Sequence, residues 1–569
     1  MSNLGRAMRL NRYNVRSDKD VQLVFETPMN ELMKAKVKDL SMSGVSAELI
    51  TGTMTEENIP IGSIMPSAKI VWDQNEIYIG RLALRRLNNK DKKCEVAFST
   101  VDSKLPTTGQ LSKVLEVDFI KEDMKKEREL DPNVFSIGHF KEIDDNSVDI
   151  LNRVREYGIF YREFEKSKRY GYNLVRDDSM GTRVNLTRPR KGNRHDYIIM
   201  GSNDYLGLGA HPEVIEAAKK ALDIYGFGST GSPITTGLSK VHIELCERLA
   251  QMHQKESCLL FNSGYAVNVG VMPGLLRPGD LVVTDQLCHA SIQDGLQMAR
   301  ATSRFFKHNN VDHLEQILEK ERESHNGCLV VTEGIFSMDG DIAKLDEIYR
   351  VARKYDARIF VDQAHDFGVI GPRGLGVCDK YNLMKEVDII MGTFSKICGG
   401  IGGFVVGSKD LINWFHSFAR SQIFSVSIPP STAAAMLKAL DLFTRDRTLV
   451  DSLQRNITHF VRGLESIGFT MPANHESSIV PVVIGDQAKM GEMFQSLLDD
   501  GVMVVPIVYP AVSRSNCRFR FTVMANHSIA ELDYAVGALE RAMLKANFKP
   551  SDAPKINEKK SSDSGKGAA

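Results

Sequence analysis

The chain of 569 residues has no excess of either charge: 72 Lys and Arg oppose 72 Asp and Glu, for a formal net charge of zero. Attraction to phosphate or to an acidic membrane surface needs a basic excess or patch, so neither DNA, RNA nor a membrane surface is an expected partner. There is no CxxC pair. The eight cysteines (94, 246, 258, 288, 328, 378, 398 and 517) stand singly, which argues against a zinc ribbon or other metal site and suits free thiols in a reducing compartment. No apolar run approaches the ~20 residues of a membrane-spanning helix. The start, MSNLGRAMRLNR, has no apolar core of a secretory signal, so the expectation is a cytoplasmic protein. No internal repeat is present. With 42% hydrophobic and 25% charged residues the composition is that of a globular protein, which excludes collagen-like, coiled-coil and wholly disordered chains.

Three shifts in pattern divide the sequence. Residues 1–118 carry short strand-like segments (Val21 to Phe25, Ser67 to Trp72, Cys94 to Phe98) separated by Gly, Asn and Asp, and predict a small β-domain. Residues 119–150 are charged and poor in apolar pattern, as in a linker. Residues 151–547 alternate helical patterns with apolar runs: LVVTD (281–285), CLVVTEG (328–334), ARIFVDQAH (357–365), VDIIMGTFSK (387–396) and GGFVVGS (402–408). Near-continuous apolar strands between helices predict an α/β fold with a mostly parallel sheet covered on both faces. Residues 548–569 are polar and predict a disordered tail.

Open α/β sheets bind ligands at the carboxyl ends of their strands. Asp285, Glu333, Asp362 and Lys396 all sit where these runs stop. Lys396, within TFSKICGGIGG, reads either as a surface lysine beside a glycine-rich turn or as an amine kept partly neutral by low polarity and able to form a Schiff base. The second reading calls for pyridoxal phosphate, which needs a carboxylate at its ring nitrogen, a phosphate cradle and a face against the ring. Asp362 offers the carboxylate. FNSGYAVN (261–268), with small residues before a helical pattern, offers backbone amides at a helix start. His289 offers the ring face and His365 a partner for the phenolic oxygen, although each histidine alone also reads as a satisfied structural residue.

With SNDYLGL (202–208), HIELCERLA (242–250), FNSGYAVN, DQLCHAS (285–291), EGIFSMDGD (333–341), DQAHDFG (362–368), GTFSK (392–396) and RFRFTVMANH (518–527) in this order, the region 155–545 resembles the α-oxoamine synthases. The resemblance implies a fold-type-I pyridoxal-phosphate transferase with a smaller C-terminal α/β subdomain. It implies that Lys396 carries the cofactor and moves protons, Asp362 pairs with the ring nitrogen, His365 with the ring oxygen, and His289 stacks. Ser263, Gly264, Tyr265, Thr393 and Ser395 would surround the phosphate, with Ser337 beside the cofactor. Asn203 and Arg520 would receive an amino-acid carboxylate, an arginine fork suiting that anion. Ser425 and Ser427 would reach the phosphate of a neighbouring subunit, so a homodimer is implied. The implied reaction condenses an amino acid with an acyl thioester, on coenzyme A or an acyl-carrier protein, and releases carbon dioxide.

The chain departs from the family pattern at three places: Pro233 where a GxGxxGxR stretch has arginine, Cys246 where the HxxLE helix has glutamate, and Asp366-Phe367-Gly368 after the DxAH core. In the first 118 residues, Arg12-Tyr13-Asn14-Val15-Arg16 and Asp39-Leu40-Ser41-Met42-Ser43-Gly44 resemble, in order and spacing, the two motifs of the PilZ domain, a β-barrel receptor for cyclic di-GMP. That resemblance implies nucleotide binding by Arg12, Arg16, Asp39, Ser41 and Gly44; a degenerate barrel kept only for contact is the plainer reading. Two other readings of the whole chain stay open. One is an aminotransferase or aldol-type lyase. The other is a catalytically inactive nucleotide-binding protein, against which the retention of Lys396, Asp362 and both histidines argues.

Overall fold

The structure, a computed structural model, describes strand segments between 13 and 100, scattered positions from 151 to 162, and 174–554 apart from 180, 187–195 and 446. The linker expected at 119–150 lies outside the described residues, as do Arg12, Arg16 and 555–569. The chain divides into two compact units, Met1–Leu130 with Asp144–Val154, and Asp131–Ile143 with Arg155–Ala569.

Among its described residues the first unit contains seven strands: β1 (Tyr13–Asn14), β2 (Gln22–Glu26), β3 (Leu32–Ser41), β4 (Gly44–Leu49), β5 (Ile64–Trp72), β6 (Asn75–Lys90) and β7 (Lys93–Thr100). Their antiparallel pairings run β3-β2-β5-β6-β7-β4 and return to β3, so six strands close in a ring and β1 adds to β3. Closure removes the exposed sheet edge. The side chains follow the strand period of two: Met33, Ala35 and Val37 are buried, while Leu32, Lys34 and Lys36 are exposed.

In the second unit, β8 (Arg183–Asn185) and β9 (Asp196–Ile199) precede the central sheet. That sheet holds β10 (Ser257–Phe261), β11 (Leu281–Asp285), β12 (Thr302–Phe306), β13 (Cys328–Glu333), β14 (Arg358–Asp362), β15 (Ile389–Thr393) and β16 (Gly403–Gly407), in the order β10-β16-β15-β14-β13-β11-β12. From β15 to β12 it is parallel; β16 runs antiparallel to both neighbours. β11, β13, β15 and β16 are buried along their whole length, as expected when helices cover both faces. Toward the C terminus, β17 (Ile479–Val483), β18 (Val502–Met503), β19 (Val505–Ile507) and β20 (Arg518–Thr522) follow. They form the sheets β17-β20-β19 and β18-β9-β8. This is the fold-type-I transferase architecture, with a mixed, mostly parallel central sheet.

Two local expectations change. The GTFSK segment is not a free turn: β15 runs through Thr393, and Lys396 sits on the one-turn helix Phe394–Ile397, capped by the Thr393 hydroxyl. The packed chain also passes the expected tail boundary at 548. Phe548 is buried and stacks on Phe469, and Asp552 approaches Lys489, so one aromatic anchors an otherwise polar segment as far as the turn Pro550–Asp552.

Candidate active site

The parallel strands bring chemistry to one edge of the sheet. Glu333 and Asp362 end β13 and β14 and lie directly opposite one another in register. Asp285 ends β11, and Thr393 ends β15 just before the helix that carries Lys396. Asp362 is buried; its Oδ2 accepts from Asn268 Nδ2 at 2.9 Å and its Oδ1 from the Ala364 amide at 2.9 Å. Those two donors hold the carboxylate in place.

Burial pulls the Lys396 amine below its ordinary pKa, while Asp362 and Glu333 pull the other way. Burial and the positive field of Lys396 and Arg520 push His365 well below the usual histidine range, which keeps it neutral. Its Nδ1 meets the Tyr205 hydroxyl at 2.6 Å. His289 caps the helix Ala290–Ala299, and its Nδ1 meets Ser291 Oγ at 2.8 Å. Burial lowers its pKa as well, and it senses both Asp362 and Lys396. Glu333 accepts from the His289 amide, and burial together with neighbouring Asp362 raises its pKa well above the carboxylate range. Lys396, Asp362, Glu333, His289 and His365 therefore lie close enough to act on one another electrostatically.

Beside this cluster, β10 leads into the helix Gly264–Leu275. Its cap is Ser263, whose hydroxyl accepts from Ala266 N at 3.0 Å. The amides of Gly264 and Tyr265 stand in the first turn, where no intrahelical acceptor exists. A Cβ on Gly264 would lie 3.1 Å from Thr393 Cβ, and one on Gly403 only 2.8 Å from the Gly264 amide nitrogen. Side chains on these two glycines would fill the hollow. Thr393 Oγ1 meets Ser395 Oγ at 2.8 Å. Amides, hydroxyls and a helix start form an anion cradle. With the buried carboxylate and the desolvated amine, the donor set fits pyridoxal phosphate.

On β20, Arg520 is nearly fully buried. Its Nε donates to the Ser337 carbonyl at 2.7 Å and its Nη1 to Asn203 Oδ1 at 3.3 Å, so the three residues are brought together. Ser425 accepts from Asn262 Nδ2, one residue before the cap Ser263. Ser427 lies near it. They line a cavity of about 370 Å³ with Phe261, Asn262 and Cys258, whose lining does not include Lys396, Asp362 or His365. Pro233 and Cys246 line the same cavity, so two of the three departures fall outside the Lys396 cluster. The third is internal support: the Asp366 carboxylate, raised to about 7 by burial, accepts from Val377 N and Gln363 Nε2. Of the nucleotide-binding candidates, Asp39 and Ser41 lie on β3 and Gly44 opens β4. Among the described residues no cluster of three metal-ligating side chains occurs, and no helix is long and apolar enough to cross a membrane.

Sequence reasoning missed Tyr205, Asn268 and Ser291. They lay inside SNDYLGL, FNSGYAVN and DQLCHAS, and Asn268 is four residues past Gly264, on the same face of its helix as the cradle. That spacing was the available signal.

Comparison with known proteins agrees with this geometry. Residues 195–539 match the family Aminotransferase class I and II. The chain is 39% identical over 344 residues to 8-amino-7-oxononanoate synthase of Treponema denticola, covering 60% of this chain and 87% of that protein. It is 39% identical over 351 residues to serine palmitoyltransferase of Sphingobacterium spiritivorum, covering 62% and 88%. It is 34% identical over 396 residues to 4-hydroxy-2,2'-bipyrrole-5-methanol synthase PigH of a Serratia species; there the match covers 70% of this chain but only 60% of the relative's length. Among solved structures, serine palmitoyltransferase of Sphingomonas wittichii superposes with a TM-score of 0.67 at 30% identity, over 71% of this chain and all of that one. A high-resolution serine palmitoyltransferase structure with PLP gives 0.67 at 31% identity, over 70% and 99%. The chain thus belongs to the aminotransferase class I and II family, as a pyridoxal-phosphate-dependent acyltransferase of the α-oxoamine synthase type.

Proposed function

We propose that this protein condenses an amino acid with an acyl thioester, on coenzyme A or an acyl-carrier protein, to give an α-amino ketone and carbon dioxide. The observation that carries the reading is the pairing of buried Arg520 with Asn203 within electrostatic reach of Lys396. Bound pyridoxal phosphate supplies an electron sink for a carbanion at the amino acid's α carbon. The residues do the rest. Lys396, an amine that burial makes more readily neutral, tethers the cofactor and then takes and returns the α-proton. Asp362 keeps a proton on the ring nitrogen, and Asn268 and the Ala364 amide keep Asp362 oriented. His365, braced by Tyr205, would pair with the ring oxygen, and His289 would cover the ring. Ser263, Gly264, Tyr265, Thr393 and Ser395 hold the phosphate. Arg520 offers its remaining donors, with Asn203, to the substrate carboxylate while its Nε stays on the Ser337 carbonyl. Ser425 and Ser427 serve the site of a second copy in a homodimer. The seven described cysteines are free thiols, which supports a cytoplasmic location.

The test is to supply carboxyl-labelled amino acids one at a time, with and without acyl thioester. Labelled carbon dioxide is expected from one amino acid, only when thioester is present, and mole for mole with released thiol. A keto acid formed without carbon dioxide would instead establish aminotransfer.

We infer further that the first unit is a PilZ-like receptor for cyclic di-GMP. Support comes from the backbone register: Asn14, between Arg12 and Arg16, pairs with Asp39, and Ser41 pairs with Gly44 across the β3–β4 hairpin, so the two motifs run side by side. Paired arginines recognise phosphates through bidentate hydrogen bonds. Calorimetric titration of the full chain with cyclic di-GMP is expected to give saturable binding that Arg12→Ala with Arg16→Ala abolishes. Equal binding by wild type and variant would sink this assignment. Regulation of the synthase requires the nucleotide to favour one of two enzyme states, and it would be read as a change in turnover at saturating nucleotide.

A further inference from the structure

We propose that His308 is a positioning residue whose ring, held between Asp285 and Asp341, fixes the turn carrying His289 against the loop carrying Ser337 and so sets the spacing of the cofactor site. The inference rests on the pyridoxal-phosphate reading of that site. His308 follows β12 by two residues. Its Nδ1 lies 3.1 Å from each oxygen of Asp285, and its Nε2 lies 2.7 Å from Asp341 Oδ2. The edge-on Phe336 ring, 4.5 Å away, fills its side.

Each carboxylate belongs to a segment that carries a residue of the site. Asp285 is wholly buried; its Oδ1 accepts from Leu287 N at 2.9 Å and its carbonyl from Cys288 N, so it builds the turn that delivers His289. Asp341 closes the opposite loop. Its carbonyl accepts from Phe336 N, Ile335 bridges Ile342, and Ser337 lies between, with its carbonyl on Arg520. Among the described residues Asp341 Oδ1 has no hydrogen-bond partner, and its side chain is tied through Oδ2, by His308 and by Asn309 Nδ2 at 2.7 Å.

A neutral imidazole has one N–H and can serve one carboxylate; only the protonated ring donates to both. Burial opposes that charge, but hydrogen bonds to Asp285 and Asp341 outweigh it and carry the His308 pKa up to about 10. The other titratable group sensing Asp341 is His475, which burial keeps low. His308 is therefore a fixed cation, unlike His289 and His365, whose pKa values lie below the usual histidine range.

The test uses the full chain. In His308→Gln a neutral amide can reach only one of the two carboxylates. The expected result is a cofactor dissociation constant raised about tenfold, the effect typical of removing an outer partner that orients a ligand-holding residue. The amino-acid KM is expected to rise by more than kcat falls. Adding Asp341→Asn, which removes the uncompensated charge and lets two amides bridge, should recover part of the cofactor affinity. A folded His308→Gln protein with a lower Tm but unchanged cofactor affinity and KM would overturn the proposal. If that variant does not fold, Asp341→Asn alone, which leaves the Asp285–His308 pair, decides: weakened cofactor supports the proposal and unchanged affinity overturns it. Cofactor affinity is read without turnover, so failure of the proposed reaction would not imitate failure of this inference.

Discussion

Replacing Lys396 with alanine is expected to lower kcat by about 10⁴-fold or more, the upper end of what one positioned general base supplies, with loss of the covalent tether added to it. The same substitution should leave the apoprotein at least as stable as wild type. Among the described residues the Lys396 amine has no hydrogen-bond or ion-pair partner, burial disfavours its charge, and the backbone carbonyl of Lys396, which accepts from Tyr205 N, is untouched by the change. An amine held desolvated without a partner costs stability and is tolerated where function needs it. Calorimetry of the apoproteins and single-turnover assays of the loaded ones check the two halves separately. Substantial turnover by Lys396→Ala would remove the central role given to this lysine. A steep fall in apoprotein Tm would show that the side chain supports the fold instead.

Why Lys396 could be found in the sequence, and other residues of the site could not, follows from the range of their contacts. The strands that end in Asp285, Glu333 and Asp362 are legible because a strand buried on both faces is a continuous β-branched and apolar run, and its end is marked by the first polar residue. The phosphate cradle is legible because a helix start needs small residues and a cap, and Ser263-Gly264 supplies both. Strand direction leaves no such mark: the GGFVVGS run reads the same whichever way β16 points, and its antiparallel sense emerges only from pairing with β10 and β15. The contacts that orient the site are equally silent. Asn268 reaches Asp362 across 94 positions and Tyr205 reaches His365 across 160, so neither partner changes the local pattern around the other. His308 sits in an unremarkable KHNN stretch and gains its meaning from two aspartates 23 residues before it and 33 residues after it. Phe548 failed as a boundary for the same reason, since its partner Phe469 is remote in sequence.

Asp362→Asn is the sharper test of the chemistry, because the change removes a charge while keeping the shape. Opposite unit charges in close contact at an effective dielectric of about 20 attract by about 4 kcal/mol, and that is the scale of attraction the change would remove. Spent wholly on the step in which negative charge moves toward the ring, that is about a thousandfold in kcat. Ground-state binding should suffer much less, since the phosphate cradle and the Lys396 tether are intact and one carbonyl oxygen remains to accept from Asn268 or from Ala364 N. The new amide cannot accept from both, and its own N–H groups face a donor on one side, so some loss of order at the ring nitrogen adds to the electronic effect. The expected signature is therefore a kcat that falls far more than the cofactor dissociation constant rises. Loss of cofactor in proportion to activity would mean that Asp362 mainly binds. Full retention of kcat would mean that its charge is not what sustains the electron sink, and the role would have to pass to Glu333, its neighbour in register on β13.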